Sequence, residues 1–261
     1  MGTWHMGERG GNRAAEVAAL RLGLDHGMSL IDTAEMYGDG GAESVVGEAI
    51  HGWRESVFVV TKFYPHHASR LKLIAACDGS LAQLGGETID LYLLHWRGTV
   101  PLAETVSTLE ELVRIGKIQR WGVSNFDVAD MEELVAVPGG DRCAANQVLY
   151  NLEHRGIEYD LLPWCAERRI PVMAYSPLDE GRLARHPALV LVASRLGVDP
   201  GQVALAWLLR NPDVITIPKA ATTRHVRANR AAADIHLDKE SVEVLEQAFP
   251  PPRRKRPLDM I

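Results

Sequence analysis

Apolar runs of strand length alternate with amphipathic segments of helix length along the whole chain, and short connections join them. That alternation is the strongest constraint here, because consecutive strands separated by helices must run parallel and cross over right-handedly. Asn12 caps a helix that runs to His26 and presents Val17, Leu20 and Leu24 on one face, with Gly27 as its stop. Strands are expected to end at Asp32, Lys62 and His95, with helices over Ala42–His51 and Ala68–Leu84 between them. A helix starting at Pro101 and stopped by Gly116 leads to strand Lys117–Val123, then helix Asp127–Val135 and strand Ala144–Val148. Helix Ile157–Glu167 and strand Pro171–Tyr175 follow, then helices near Ala188–Leu196 and from Asp199-Pro200. Strand Val214–Ile217, a helix from Thr223 and a last helix over Lys239–Ala248 complete the set. Counting a first strand that opens at Met1-Gly-Thr-Trp4 gives eight strand–helix units, which fit a single closed (β/α)8 barrel over residues 1–261. A doubly wound open sheet is the alternative, but it usually carries GxGxxG after its first strand, and none follows a strand here.

Composition narrows the function. The net charge of -6 gives no general pull toward nucleic acid or an anionic membrane. No apolar run is long enough to span a bilayer, and no basic segment followed by an apolar stretch opens the chain, so a cytoplasmic location is expected. Cys77, Cys143 and Cys165 are odd in number and widely spaced, which fits small core residues in a reducing compartment and neither disulfides nor metal ligands. No pattern points to a large interface, so a monomer is the default.

Three of the strands stop on an ionisable residue. Ser29-Leu-Ile ends at Asp32, Val57-Phe-Val-Val-Thr61 at Lys62, and Ile89-Asp-Leu-Tyr-Leu-Leu94 at His95; Tyr37 sits on the turn beyond Asp32, before Gly38, Gly40 and Gly41. In a barrel these C-terminal strand ends converge on the catalytic face. A phenol with a pKa near 10 is a poor acid at neutral pH, a neighbouring ammonium lowers that value, and a carboxylate holds the ammonium in place. The expected result is a tyrosine ready to protonate a carbonyl oxygen, with His95 orienting that carbonyl or relaying the proton. None of the four carries hydride, so a nicotinamide cofactor is implied. Singly, each has an ordinary explanation as cap, solvated cation, core histidine or packing residue; all four at successive strand ends do not.

The chain resembles the aldo-keto reductases in Asp-Thr-Ala-Glu-Met-Tyr-Gly from Asp32, Thr-Lys at 61–62, Leu-Leu-His-Trp from Leu93, Gly-Val-Ser-Asn-Phe from Gly122, Asn-Gln-Val at 146–148, Ala-Tyr-Ser-Pro-Leu from Ala174 and Ile-Pro-Lys from Ile217. The match is collinear over nearly all of the chain. Gly-Thr-Trp, Asp-Gly-Gly-Ala-Glu and Ile-Glu-Tyr-Asp-Leu-Leu-Pro-Trp-Cys are similar to bacterial members described as methylglyoxal reductases. The resemblance implies a catalytic tetrad of Asp32, Tyr37, Lys62 and His95. It places Ser124, Asn125 and Gln147 on the nicotinamide carboxamide and stacks Tyr175 on the ring. Thr3, Trp4, Ser176, Pro177 and Leu178 would lie along the cofactor, Lys219, Ala220, Thr222, His225 and Asn229 at its adenosine phosphate. Trp4, Tyr37, Tyr64, His95 and Trp96 would wall the substrate pocket. The implied reaction is NADPH-dependent reduction of small aldehydes and dicarbonyls to alcohols.

Departures from the family pattern carry their own expectations. Ala220 and His225 stand where the family often has Ser and a phosphate-clamping Arg, and Ala228 replaces an adenine-side Glu or Gln; a neutral imidazole holds a phosphate less well than a guanidinium. NADPH is still expected from Lys219, Thr222, Arg224 and Arg227, with tolerance of NADH. The chain opens inside the family's first strand and without its floor hairpin, which implies either a start further upstream or an open barrel floor. A short Asp179–His186 loop and a short tail imply fast cofactor exchange and an open, broad pocket, and Arg253–Arg256 reads as solvated tail. The alternatives are a cofactor-sensing subunit with little turnover, and a metal-dependent barrel hydrolase, for which no His-x-His pair ends a strand.

Overall fold

The computed structural model describes residues 1–261. Seven parallel strands form one sheet in chain order: β1 Leu30–Asp32, β2 Phe58–Phe63, β3 Ile89–Leu94, β4 Ile118–Ser124, β5 Asn146–Leu149, β6 Val172–Tyr175 and β7 Val214–Thr216. Gly2 joins the two edges, bridging in parallel to Asp32 on one side and to Lys219 on the other. Its amide donates to the Pro218 carbonyl at 3.0 Å, and the Asp32 amide donates to the Met1 carbonyl at 2.8 Å. The ring therefore closes through a one-residue bridge, which corrects the expected strand from Met1 to Trp4. The chain turns away at Trp4 and His5, where His5 has φ 62°. A Cβ on Gly2 would sit 2.8 Å from the Ile217 carbonyl oxygen, so the seam admits only glycine.

The helices are α1 Arg13–Asp25, α2 Gly41–Ile50, α3 Arg70–Leu84, α4 Leu102–Arg114, α5 Val128–Ala136, α6 Leu161–Glu167, α7 Pro187–Leu196, α8 Pro200–Leu209, α9 Thr223–Ala231 and α10 Lys239–Ala248. Their starts follow local chemistry. Asn12 Oδ1 accepts from the Ala15 amide at 3.1 Å, and Asp199 forms a capping box with Gln202 around Pro200. α3 begins later than the sequence suggests because Pro65–His67 take a 3-10 turn first, and α6 is shortened by a similar turn at Gly156–Glu158. The main core lies between sheet and helices and includes Trp121, Phe63, Tyr92 and Phe126. No single helix is long and apolar enough to cross a membrane.

A smaller apolar cluster fills the barrel: Val60, Leu91, Leu93, Ala145, Met173 and Ile217, flanked by Leu30, Phe58 and Tyr175. Side chains alternate along a strand, so inward positions recur every second residue. Leu30 leads to Asp32, Val60 to Lys62, Leu93 to His95, Ala145 to Gln147 and Met173 to Tyr175. The polar residues are thus the next inward layer above an apolar plug.

All three cysteines are free and buried, and burial pushes each thiol up to about 12.

Candidate active site

Asp32 and Lys62 are buried in adjacent strands, and Lys62 Nζ donates to both carboxylate oxygens at 2.9 Å. The carbonyl of Thr33 takes the ammonium as well, at 2.7 Å. Burial lowers the Lys62 ammonium, but Asp32 and Tyr37 together more than offset this and hold it above its ordinary value.

Tyr37 reaches the pair from the turn after β1, where its amide donates to the Ala34 carbonyl at 3.0 Å. Lys62 Nζ lies 5.0 Å from its ring centroid. Burial raises the phenol above its ordinary value, with the nearby Lys62 charge opposing and Asp32 reinforcing the rise. This corrects the expectation of a lowered pKa: desolvation outweighs the ammonium. The His95 ring stands edge-on to Tyr37 with centroids 6.0 Å apart. Burial and the Lys62 charge lower its pKa to about 3, and its Nδ1 is buried without a partner. His95 is therefore neutral at any ordinary pH, which suits orienting a carbonyl better than delivering a proton.

Beside the tetrad, β4, β5 and β6 bring four more residues together. Ser124 Oγ donates to the Gln147 carbonyl at 2.8 Å, and Asn125 Nδ2 donates to the His95 carbonyl at 3.1 Å. Asn125 holds φ 59°, a conformation asparagine tolerates better than most residues. The half-buried Tyr175 donates its hydroxyl proton to Asn125 Oδ1 at 2.9 Å. Gln147 is turned to the tetrad itself, with Nε2 donating to Asp32 Oδ1 at 2.7 Å.

The remaining residues spread outward. Thr3 is fully buried and donates its hydroxyl to the Asp32 carbonyl at 3.0 Å. Ser176 adopts φ 48° beyond β6, its carbonyl accepting from Asn151 Nδ2 at 2.9 Å, and Pro177 and Leu178 continue toward α8. Lys219, Thr222 and His225 are exposed near the start of α9, Ala220 is buried and Asn229 half-buried; Thr222 caps the helix through the His225 amide. Tyr64 meets Trp96 edge-on at 6.0 Å, while Trp4 is 40% exposed and stacks on His5.

Contacts of Glu35 and of the C-terminal tail went unread in the sequence. Glu35 Oε1, on the Tyr37 turn, accepts from the Tyr64 amide at 2.6 Å and meets His67 Nδ1 at 2.9 Å, tying two loops together. Its position between Asp32 and Tyr37 was the available signal. Asp259 meets His154 Nδ1 at 3.0 Å, and the Ile261 backbone comes to the Tyr175 hydroxyl. The tail thus folds back beside Tyr175, with Leu258 against the core. Of the basic run, Lys255 pairs with Asp160 at 3.2 Å and the arginines stay exposed.

The sequence profile described as the Aldo/keto reductase family matches residues 1–249. The chain belongs to the aldo/keto reductase family, a family of oxidoreductases. Among its relatives is the methylglyoxal reductase YeaE of Escherichia coli K12, 52% identical over 265 residues that cover 100% of this chain and 93% of that protein. An aldo/keto reductase from Klebsiella pneumoniae, solved in complex with NADP and acetate, superposes with TM-score 0.98 at 53% identity, covering 100% of this chain and 94% of the other. A Klebsiella pneumoniae aldo-keto reductase solved in complex with NADPH superposes equally well, with TM-score 0.98 and 53% identity over 100% of this chain and 94% of the other.

Proposed function

We propose that this chain reduces small aldehydes and 1,2-dicarbonyls such as methylglyoxal to alcohols, using NADPH. The observation that carries the reading is the buried Asp32–Lys62 pair set against a phenol that burial keeps protonated. Ser124, Asn125 and Gln147 offer donors and acceptors at the end of β4 and within β5, beside the half-buried Tyr175 ring, a set that suits a planar amide on an aromatic ring. A bound nicotinamide supplies the hydride. The protein's part is proton chemistry and orientation. Tyr37 gives its proton to the carbonyl oxygen, and the phenolate left behind is stabilised by the Lys62 ammonium. Asp32 keeps that ammonium charged and in place through each cycle. The neutral His95 holds the carbonyl by a hydrogen bond, and Trp4, Tyr64 and Trp96 are proposed to form the pocket wall.

The cofactor's phosphate is assigned to Lys219, with Arg224 and Arg227 exposed nearby and His225 too weak a clamp to exclude NADH. The two NADP-type complexes of the Klebsiella relatives support NADPH as the preferred form. The test is oxidation of NADPH, then NADH, by the purified chain with methylglyoxal and a panel of aromatic aldehydes. Carbonyl-dependent oxidation that vanishes in Tyr37→Phe is the expected result. Tight NADPH binding without carbonyl-dependent oxidation would overturn the enzyme assignment and favour a cofactor-sensing subunit.

A further inference from the structure

Gln147 stands between the two halves of the site. It is 1% exposed, and its Nε2 donates to Asp32 Oδ1 at 2.7 Å. That same oxygen takes Lys62 Nζ at 2.9 Å, so one carboxylate atom serves both residues. The other near neighbour of Nε2 is the Met173 Sδ at 4.0 Å, a weak acceptor. Gln147 Oε1 accepts no hydrogen bond from the protein. An amide can donate with one end and accept with the other, and acceptance at the oxygen polarises the N–H and strengthens what it donates.

We propose that Gln147 is a positioning residue that couples cofactor loading to proton delivery: its Nε2 fixes Asp32, and through Asp32 the Lys62–Tyr37 unit, while its Oε1 remains free to accept from a carboxamide N–H. The proposal rests on the nicotinamide reading above. A hydrogen bond received at Oε1 sharpens the donation to Asp32 and offsets more of the carboxylate charge. Asp32 opposes ionisation of Tyr37, so offsetting it eases release of the phenol proton. The proton donor is therefore armed when the cofactor arrives. The groups that face Tyr37 are Asp32 from β1, Lys62 from β2, His95 beyond β3 and Tyr175 from β6; His95 is uncharged, and Lys62 stays protonated.

The experiment uses the full chain with Gln147→Met and, as a comparison, Ser124→Ala. Ser124 shares the proposed carboxamide site but makes no bond to Asp32. Two readouts are followed: NADPH affinity by fluorescence, and the ionisation of Tyr37 in the cofactor-free protein from its carbon-13 Cζ resonance. Gln147→Met is expected to weaken NADPH several-fold and to move the Tyr37 ionisation upward by roughly half to one pH unit, the alkaline limb of kcat moving with it. Ser124→Ala is expected to weaken NADPH and leave the ionisation in place. If Gln147→Met weakens NADPH but leaves the Tyr37 ionisation where it was, Gln147 is a cofactor ligand only and the coupling is overturned. Should Gln147→Met fail to fold, Gln147→Asn keeps the amide but withdraws it from Asp32, with the same shift expected and the same result decisive against. Failure of the wild-type chain to bind NADPH would sink the nicotinamide reading instead; the Tyr37 titration needs no cofactor and distinguishes the two.

Discussion

Lys62 and Asp32 are bonded twice, at 2.9 Å each, across adjacent strands in a barrel interior where the lysine side chain meets no solvent. The pair is a liability if split. Lys62→Met leaves a buried carboxylate with only the Gln147 amide as donor and should cost about 3–5 kcal/mol of stability. Lys62→Met combined with Asp32→Leu should recover much of that loss in denaturant unfolding, and neither variant should turn over. A single variant as stable as wild type would show that the pair is solvated in solution.

Tyr37→Phe removes one oxygen and keeps the ring against Lys62. It is expected to lower kcat by about 10²–10⁴-fold, the usual contribution of a positioned general acid, with NADPH affinity changed less than about twofold. Steady-state kinetics and fluorescence titration check both halves.

The pH dependence follows from two shifts. Under the proposed mechanism Tyr37 acts only when protonated, and its pKa is raised, so kcat should stay level through neutral pH and fall only above the ordinary phenol value. His95 sits at about 3 in the folded chain against an ordinary 6.5. Between those values the unfolded chain binds a proton that the folded chain refuses. Stability is thus complete above about 6.5 and lost progressively as pH falls toward 3. Urea unfolding of wild type and His95→Gln across that range checks it: the variant should lose less on acidification.

Glu35→Ala unties the Tyr37 turn from the loop that carries Tyr64 and leaves the Tyr64 amide without its acceptor. A stability loss of about 1–3 kcal/mol is expected. Under the proposed pocket, KM for aromatic aldehydes should rise several-fold and kcat should change less. A kcat collapse with unchanged KM would place Glu35 with the proton machinery instead.

The barrel was legible because its period is simple. Runs such as Ile89–Leu94 are apolar but for Asp90 and buried on both faces, and the residue that ends the inward series is polar in each of β1, β2 and β3. The convergence of Asp32, Tyr37, Lys62 and His95 followed from that geometry alone. What the sequence concealed were contacts between distant elements. Gln147 was legible as a cofactor ligand through resemblance, but its bond to Asp32 spans 115 positions and depends on the register of β5 against β4. The sign of the Tyr37 shift required knowing how deeply the phenol is buried, which no local pattern states. The first strand failed as an expectation because Gly2 satisfies both sheet edges at once, leaving Trp4 and His5 free to turn.

The buried thiols have a consequence for durability. Aldehydes and dicarbonyls are electrophiles, and a thiolate is what they would attack. With Cys77, Cys143 and Cys165 each pushed up to about 12 and shut inside the fold, essentially no thiolate is presented at cellular pH. Under the proposed activity, the chain would work among such electrophiles with its thiols out of their reach. The same seclusion makes the cysteines a clock: a thiol reagent added to the native chain should label none of them, and the pace at which all three become reactive should report how often the barrel opens.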